Sequence, residues 1–278
     1  MSDTDHGPDP LAHATEDDHP QRIDCVLVAG GLYHDIDFAR LELLKLLAEH
    51  PEIRTRVFED YENLDALREA DMIISYTCDV VPSLAAQEVL RDWLDAGGRW
   101  YALHGTNSIL RLMDDGVWEA PRWAPLMMDL LGSQFVSHPP IAPYTVTVAD
   151  PTHPLVEGVE PFETTDELYH LETHGDLHVL LETETAEEGT GFREAADAPG
   201  KHPVFYLKPR GKGGGKRQQA AAAIAGGITT FSRWRRGGPL SIAVRGICRC
   251  STICCGGVSA GSRIASQPDL QGSRGTPA

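Results

Sequence analysis

The chain is expected to fold as an α/β protein, an open parallel sheet with helices on both faces. Three observations predict it. Apolar runs of strand length recur at residues 23–29, 71–77 and 99–104. Segments with helical spacing of apolar residues separate them. The connections are short and carry glycine, proline or polar residues.

Each element has its own warrant. Residues 23–29 (IDCVLVA) are nearly all apolar and end in Gly30-Gly31, which suits a buried parallel strand entering a turn. Residues 35–49 place Phe38, Leu41, Leu44, Lys45 and Ala48 at helical spacing, with Asp35 as the cap and Pro51 as the stop. Residues 53–58 alternate like a strand, and 64–70 suit a short helix. Residues 71–77 (DMIISYT) form a second buried strand. Pro82 fits the first turn of a helix running to Ala96, where Gly97-Gly98 stop it. Residues 99–104 (RWYALH) are the next strand. A helix near 122–131 must keep Pro125 in its first turn. Strands are expected at 144–149, 167–172, 178–184 and 202–208, with a turn-rich link at 150–158.

Beyond Gly211 the periodicity is lost, and GKGGGKRQQAAAAIAGG is low in complexity. It is not a phosphate-binding loop: the Gly-x4-Gly-Lys-Ser/Thr spacing is absent, and Arg217 stands where a magnesium-binding hydroxyl would be.

Charge divides the chain at the same place. The net charge of −17 is the sum of −26 over residues 1–210 and +9 over residues 211–278. The organisation expected is a disordered acidic tail at 1–21, an α/β domain at 22–213 and a basic low-complexity tail at 214–278. The acidic part repels nucleic acid and anionic membranes, so neither is expected as a partner. No apolar stretch approaches the roughly 20 residues of a membrane helix, and the N-terminus lacks a signal-peptide pattern. A cytoplasmic location is expected. Cys25 and Cys78 are isolated in or beside apolar runs and are expected to be reduced. Cys248, Cys250, Cys254 and Cys255 crowd the tail too closely for an ordinary two-knuckle zinc site.

In open α/β sheets ligands bind beyond the carboxyl ends of the strands. That rule selects Gly30, Gly31, Tyr33 and His34 after the first strand, and Thr77, Cys78 and Asp79 after the third. After the fourth it selects His104, Gly105, Thr106 and Asn107. His138, Asp166, Glu167 and Tyr169 are candidates to fold over the same edge, an acidic pair beside an aromatic being suited to sugar hydroxyls or metal-bound water. His104 is the strongest of them, because the apolar run of residues 99–103 delivers it to a turn opening on Gly105. A histidine there can act as acid or base, bind a metal or donate a hydrogen bond. It does not replace a cysteine nucleophile. His170, His174 and His178 are expected to face solvent.

The order of motifs resembles the ThuA-like family, named for trehalose utilisation. The resemblance is carried by Gly-Gly with His34, by GGRWYALHG at 97–105, and by LGSQFVSHPP at 131–140 followed by DPTHPLVEGV at 150–159. FETTDELYHLE at 162–172 and HPVFYLKPRGKG at 202–213 complete it. It implies a flavodoxin-like sheet of the class I glutamine amidotransferase type, with His104 where amidotransferases carry their cysteine. Glutamine hydrolysis is therefore not expected. The resemblance implies sugar utilisation, on a trehalose-type disaccharide or a keto-sugar. His104 and Glu167 are the implied catalytic groups. His34, His138 and Asp166 are the implied substrate-binding ones, joined by Gly31, Thr106, Asn107 and Tyr169 from the reading of the strand ends. No cofactor is identified, though the His and acid set suits a divalent metal. The partner expected is a small sugar ligand; self-association is left open, as is a non-catalytic carbohydrate-binding or docking role. After RGKG the family continues with a strand and Leu-Gly-His, whereas this chain turns basic and cysteine-bearing. That change suggests a frameshift near Lys212–Gly214.

Overall fold

The computed structural model describes residues 22–194, 200–210 and 219–224, the last six by their backbone. The acidic tail at 1–21 and the cysteine cluster lie outside the described residues, as does the point of the expected frameshift.

The first half alternates as expected. Strand β1 (Ile23–Gly31) leads to α1 (Ile36–Ala48), β2 (Ile53–Phe58), α2 (Leu64–Glu69), β3 (Met72–Cys78), α3 (Leu84–Asp95) and β4 (Arg99–Leu103). Asp35 caps α1 as expected, accepting a hydrogen bond from Phe38 N at 3.0 Å, whereas α3 is capped by Ser83 and Pro82 lies just before it, not in its first turn. Arg111–Leu112 (β5) pairs with Trp118–Glu119 (β6) in a small hairpin, and α4 (Pro125–Leu131) begins on Pro125. Then follow β7 (Ser133–Ser137), β8 (Ala142–Val148), β9 (Phe162–Asp166), β10 (His170–Thr173), β11 (His178–Thr185), β12 (Gly200–Arg210) and β13 (Gln219–Ile224). No described helix is long and apolar enough to cross a membrane.

The main sheet has nine strands in the order β2-β1-β3-β4-β13-β12-β11-β8-β9. Strands β2, β1, β3, β4 and β13 run parallel; β12, β11, β8 and β9 pair antiparallel. Both faces are covered. On β4, Trp100 and Ala102 join the core under α2, α3 and α4, whereas Tyr101 and Leu103 join the core under α1. A strand buried on both faces cannot alternate polar and apolar residues, which is why β1, β3 and β4 read as continuous apolar runs. Each fully buried Leu or Ile in them contributes about 1.5–3 kcal/mol.

Three further expectations need correction. In α1 the buried face is Ile36, Ala39, Leu43 and Leu47, and Leu41 is exposed. Two overlapping helical stripes exist in that leucine-rich segment, and contact with the sheet selects one of them. Residues 167–172 are not one strand. β9 ends at Asp166 in the main sheet, and β10 begins at His170 in a separate pair with β7. Finally, order does not end at Gly211: β13 inserts between β4 and β12. Its sequence, QAAAAI, has no strand pattern of its own, and its backbone is held by two neighbouring strands.

Candidate active site at the carboxyl ends of the parallel strands

Among the described residues three non-glycine ones have a left-handed backbone, and each lies within two residues of a parallel strand's carboxyl end. They are Tyr33 (φ 70°) after β1, Asp79 (φ 59°) after β3 and His104 (φ 45°) after β4. Each costs of order 1–2 kcal/mol, so the surrounding structure must hold them. Leu32 N donates to Cys78 O at 2.9 Å, and Asp79 N donates to Ser108 O at 2.9 Å. Asp79 Oδ1 accepts from Leu110 N at 3.0 Å. The three strand ends are thus tied in one row.

His34 and His104 meet there. Their ring centroids are 4.4 Å apart. Glu167 reaches both, with Oε2 3.5 Å from Nε2 of each histidine. The break between β9 and β10 makes this reach possible, because residues 167–169 leave the sheet just where Glu167 must cross its edge. Asp166 Oδ1 accepts from Glu167 N at 2.7 Å and fixes that crossing. Tyr169 stacks on His104 at 4.9 Å, with its hydroxyl 3.4 Å from His104 Nε2, and Tyr76 stacks on it at 5.9 Å. Two glycines admit the approach. A Cβ on Gly105 would lie 2.9 Å from His34 Cε1 and 2.8 Å from Thr77 O. A Cβ on Gly31 would lie 1.8 Å from Cys78 O.

Burial and charge act in opposite directions here. Burial disfavours charge on His104, but the hydrogen bond to Glu167 and the charges of Asp166 and Glu167 outweigh it, and its pKa is raised. His34 is shifted down, by burial and then by the neighbouring His104. Burial would raise Glu167, yet the two histidines hold it well below the usual carboxylate range. Burial raises Asp166, against the pull of His104. His34 Nδ1 and Asp166 Oδ2 are buried with no hydrogen-bond partner among the described residues. Such unpaired groups concentrate at functional sites. Nearby Cys78 is a buried free thiol pushed up to about 12 by burial, which favours the neutral thiol over the thiolate at neutral pH.

Of the residues singled out in the sequence, His34, His104, Asp166, Glu167 and Tyr169 come together. Gly31 serves by its backbone alone. Thr106 and Asn107 are buried in the turn: Thr106 Oγ1 donates to Leu103 O at 2.7 Å, and Asn107 Nδ2 donates to Ser133 Oγ at 2.7 Å. Both hold the turn and do not face the centre. His138 lies beyond Phe135, which separates it from Tyr169; its Nδ1 is 2.7 Å from Pro139 O. Tyr76 was not singled out, although its place two residues before the end of β3 was a usable signal. His170 does not face solvent. It is fully buried, with its ring 4.7 Å from that of His202. Along β8 and β11 a cavity of about 730 Å³, lined among others by Tyr144, Thr145, Thr147, Glu182 and Lys201, reaches Asp166.

The comparisons concern the family and the fold. The family model for ThuA, described as trehalose utilisation, matches residues 25–217. A ThuA-like protein from Bacteroides uniformis superposes with a TM-score of 0.55 at 15% identity, covering 88% of this chain and 95% of that one. Another, from Parabacteroides merdae, has a TM-score of 0.55 at 12% identity, covering 84% and 91%. A glutamine amidotransferase from Thermotoga maritima matches at a TM-score of 0.40 and 7% identity, over 76% of this chain and 77% of that one. No curated protein matches. With the family match spanning most of the chain and both ThuA-like structures sharing its fold, the protein belongs to the ThuA family of trehalose utilisation.

Proposed function

We propose that the chain is an enzyme of sugar utilisation acting on a trehalose-type disaccharide, or a keto-sugar derived from one, at the His34–His104–Glu167 centre. The observation that carries this reading is the convergence of two imidazoles and a carboxylate on three strained strand ends. His104 and Glu167 meet the reacting oxygen of the sugar, and His34 and Asp166 bound the same space. Tyr76 and Tyr169 hold the His104 ring between them. Exposed Tyr33, 5.2 Å from Trp118, adds an aromatic rim beside His34 suited to the apolar face of a sugar ring. The cavity reaching Asp166 falls in the size range of small-ligand sites, and its threonines and acids suit hydroxyl groups.

The test is turnover of trehalose and of its keto derivative by the full chain. His104→Ala should lower it by about 10²-fold or more, with the melting temperature little changed. Turnover that survives His104→Ala rejects the reading. Stabilisation by the sugar with no turnover would instead favour a binding module on this scaffold.

A further inference from the structure

We infer that His34 Nε2, His104 Nε2 and Glu167 Oε2 are three ligands of one divalent transition cation of the zinc, iron or manganese class. The inference rests on the active-site reading above and deepens it, because it assigns that site a cofactor.

The argument starts from distance. A protonated imidazole paired with a carboxylate closes to about 2.7–2.9 Å. Elsewhere in this molecule a histidine and a carboxylate do close to that distance, His178 Nε2 to Asp150 Oδ2 at 2.8 Å. In the centre both His–Glu167 separations are 3.5 Å. That is long for a charged hydrogen bond, with both rings sharing one carboxylate oxygen in a site largely shielded from water. Donor atoms about 2.0–2.1 Å from one ion at tetrahedral angles lie about 3.3–3.5 Å from each other. The observed separation is therefore that of two ligands sharing an ion.

Chemistry agrees with distance. Nε2 of each histidine faces the same carboxylate oxygen, so three lone-pair atoms lie within 4.8 Å of one another. Among the described residues this is the one such group of three donors. Two imidazoles and a carboxylate are a recurrent donor set for zinc, iron and manganese, and they leave a position open for a substrate oxygen. The Tyr169 hydroxyl, 3.4 Å from His104 Nε2, borders that position. The ring stacking by Tyr76 and Tyr169 and the constraint at Gly105 preset both imidazoles. Preset ligands favour binding because little order is left to impose.

The experiment is zinc uptake by the full metal-free chain, read as equivalents bound after gel filtration. Uptake elsewhere, such as at the tail cysteines, is common to all variants and cancels. The wild type and His178→Ala should each take up one equivalent more than His34→Gln, His104→Ala or Glu167→Gln. Circular dichroism and thermal melts verify that each variant is folded, and Glu167→Gln keeps the shape of its side chain. Equal uptake by the wild type and the folded variants overturns the inference. So does full turnover in the presence of a strong chelator, and in that case the sugar-acting reading stands. A lost equivalent with no turnover of any sugar leaves the cation site standing and removes the sugar-acting reading.

Discussion

Two of the histidine clusters among the described residues differ in the acids that approach them. His34 and His104 sit at the ends of β1 and β4 with Glu167 between them and Asp166 behind. His170 and His202 sit on β10 and β12 with rings 4.7 Å apart, and among the described residues neither forms an ion pair with an acid. His170 Nδ1 contacts only Ser137 Oγ, at 3.2 Å, and Nε2 of both rings is buried without a partner among the described residues. Burial acts on both clusters. In the second it is unopposed, and His170 is pushed down to about 4, with His202 and His138 adding to the effect. In the first it is opposed by carboxylates, and His104 moves up. Imidazoles in pairs are therefore not a site by themselves. The carboxylate offsets burial at His104, and in its absence burial pushes His170 and His202 down unopposed.

The sharpest way to break this comparison is to remove the carboxylate. Glu167→Gln converts the first cluster into a version of the second, with two buried imidazoles and an uncharged neighbour. Turnover should fall by about 10²- to 10⁴-fold. Stability should fall as well, because the two histidines favour the ionised Glu167 and that contribution goes with the carboxylate. Steady-state kinetics beside a thermal melt checks both. Activity within a few-fold of wild type would mean that the two clusters differ only in burial.

A second change tests how the first cluster is held. Gly105→Ala places a Cβ 2.8 Å from Thr77 O and 2.9 Å from both Cys78 Cβ and His34 Cε1. Two of these atoms belong to a buried strand end, so the strain has few routes of escape, and about 2–3 kcal/mol of stability should be lost. Gly116→Ala is the comparison. Its left-handed backbone (φ 79°) has open space around it, and about 1 kcal/mol is expected. Urea denaturation of both variants measures the difference. A larger loss at Gly116 would show that backbone strain, and not the approach of His34, governs this edge.

The first cluster was legible in the sequence and the second was not. Apolar runs mark where β1 and β4 end, and the rule about strand ends then selects His34 and His104 without knowledge of their contacts. Glu167 was selected by its neighbours, but the way it arrives was hidden. Residues 167–172 read as one strand because side-chain pattern does not record a chain leaving one sheet for another. The same blindness misplaced His170, whose burial is set by β7 and β12, remote in sequence. β13 was missed for a related reason: its alanines acquire strand structure from β4 and β12. Where an element is imposed by distant partners, local pattern carries little of the information.

The smallest effect expected comes from the second cluster, and its sign distinguishes it from carboxylate effects. The groups facing His170 are Ser137 on β7, His138 just beyond it and His202 on β12. A histidine held near pKa 4 in the folded chain and near 6.5 in the unfolded one makes the unfolded state bind more protons between those values. Its contribution to stability is complete above pH 6.5 and is lost as the pH falls toward 4. Glu167 and Asp150, both depressed, act lower: their contributions are lost only as the pH falls below their unfolded values of 4.5 and 3.8. The interval from pH 6.5 to 5 therefore reports on histidines. His170→Asn keeps a polar contact to Ser137 and cannot titrate. The wild type should lose on the order of 1–2 kcal/mol more than this variant between pH 7 and pH 5, below the ceiling of about 3 kcal/mol set by the full shift. Urea melts at the two pH values measure it. An identical pH slope in wild type and variant would show that His170 does not stay neutral, and the contrast between the clusters would then lie in geometry alone.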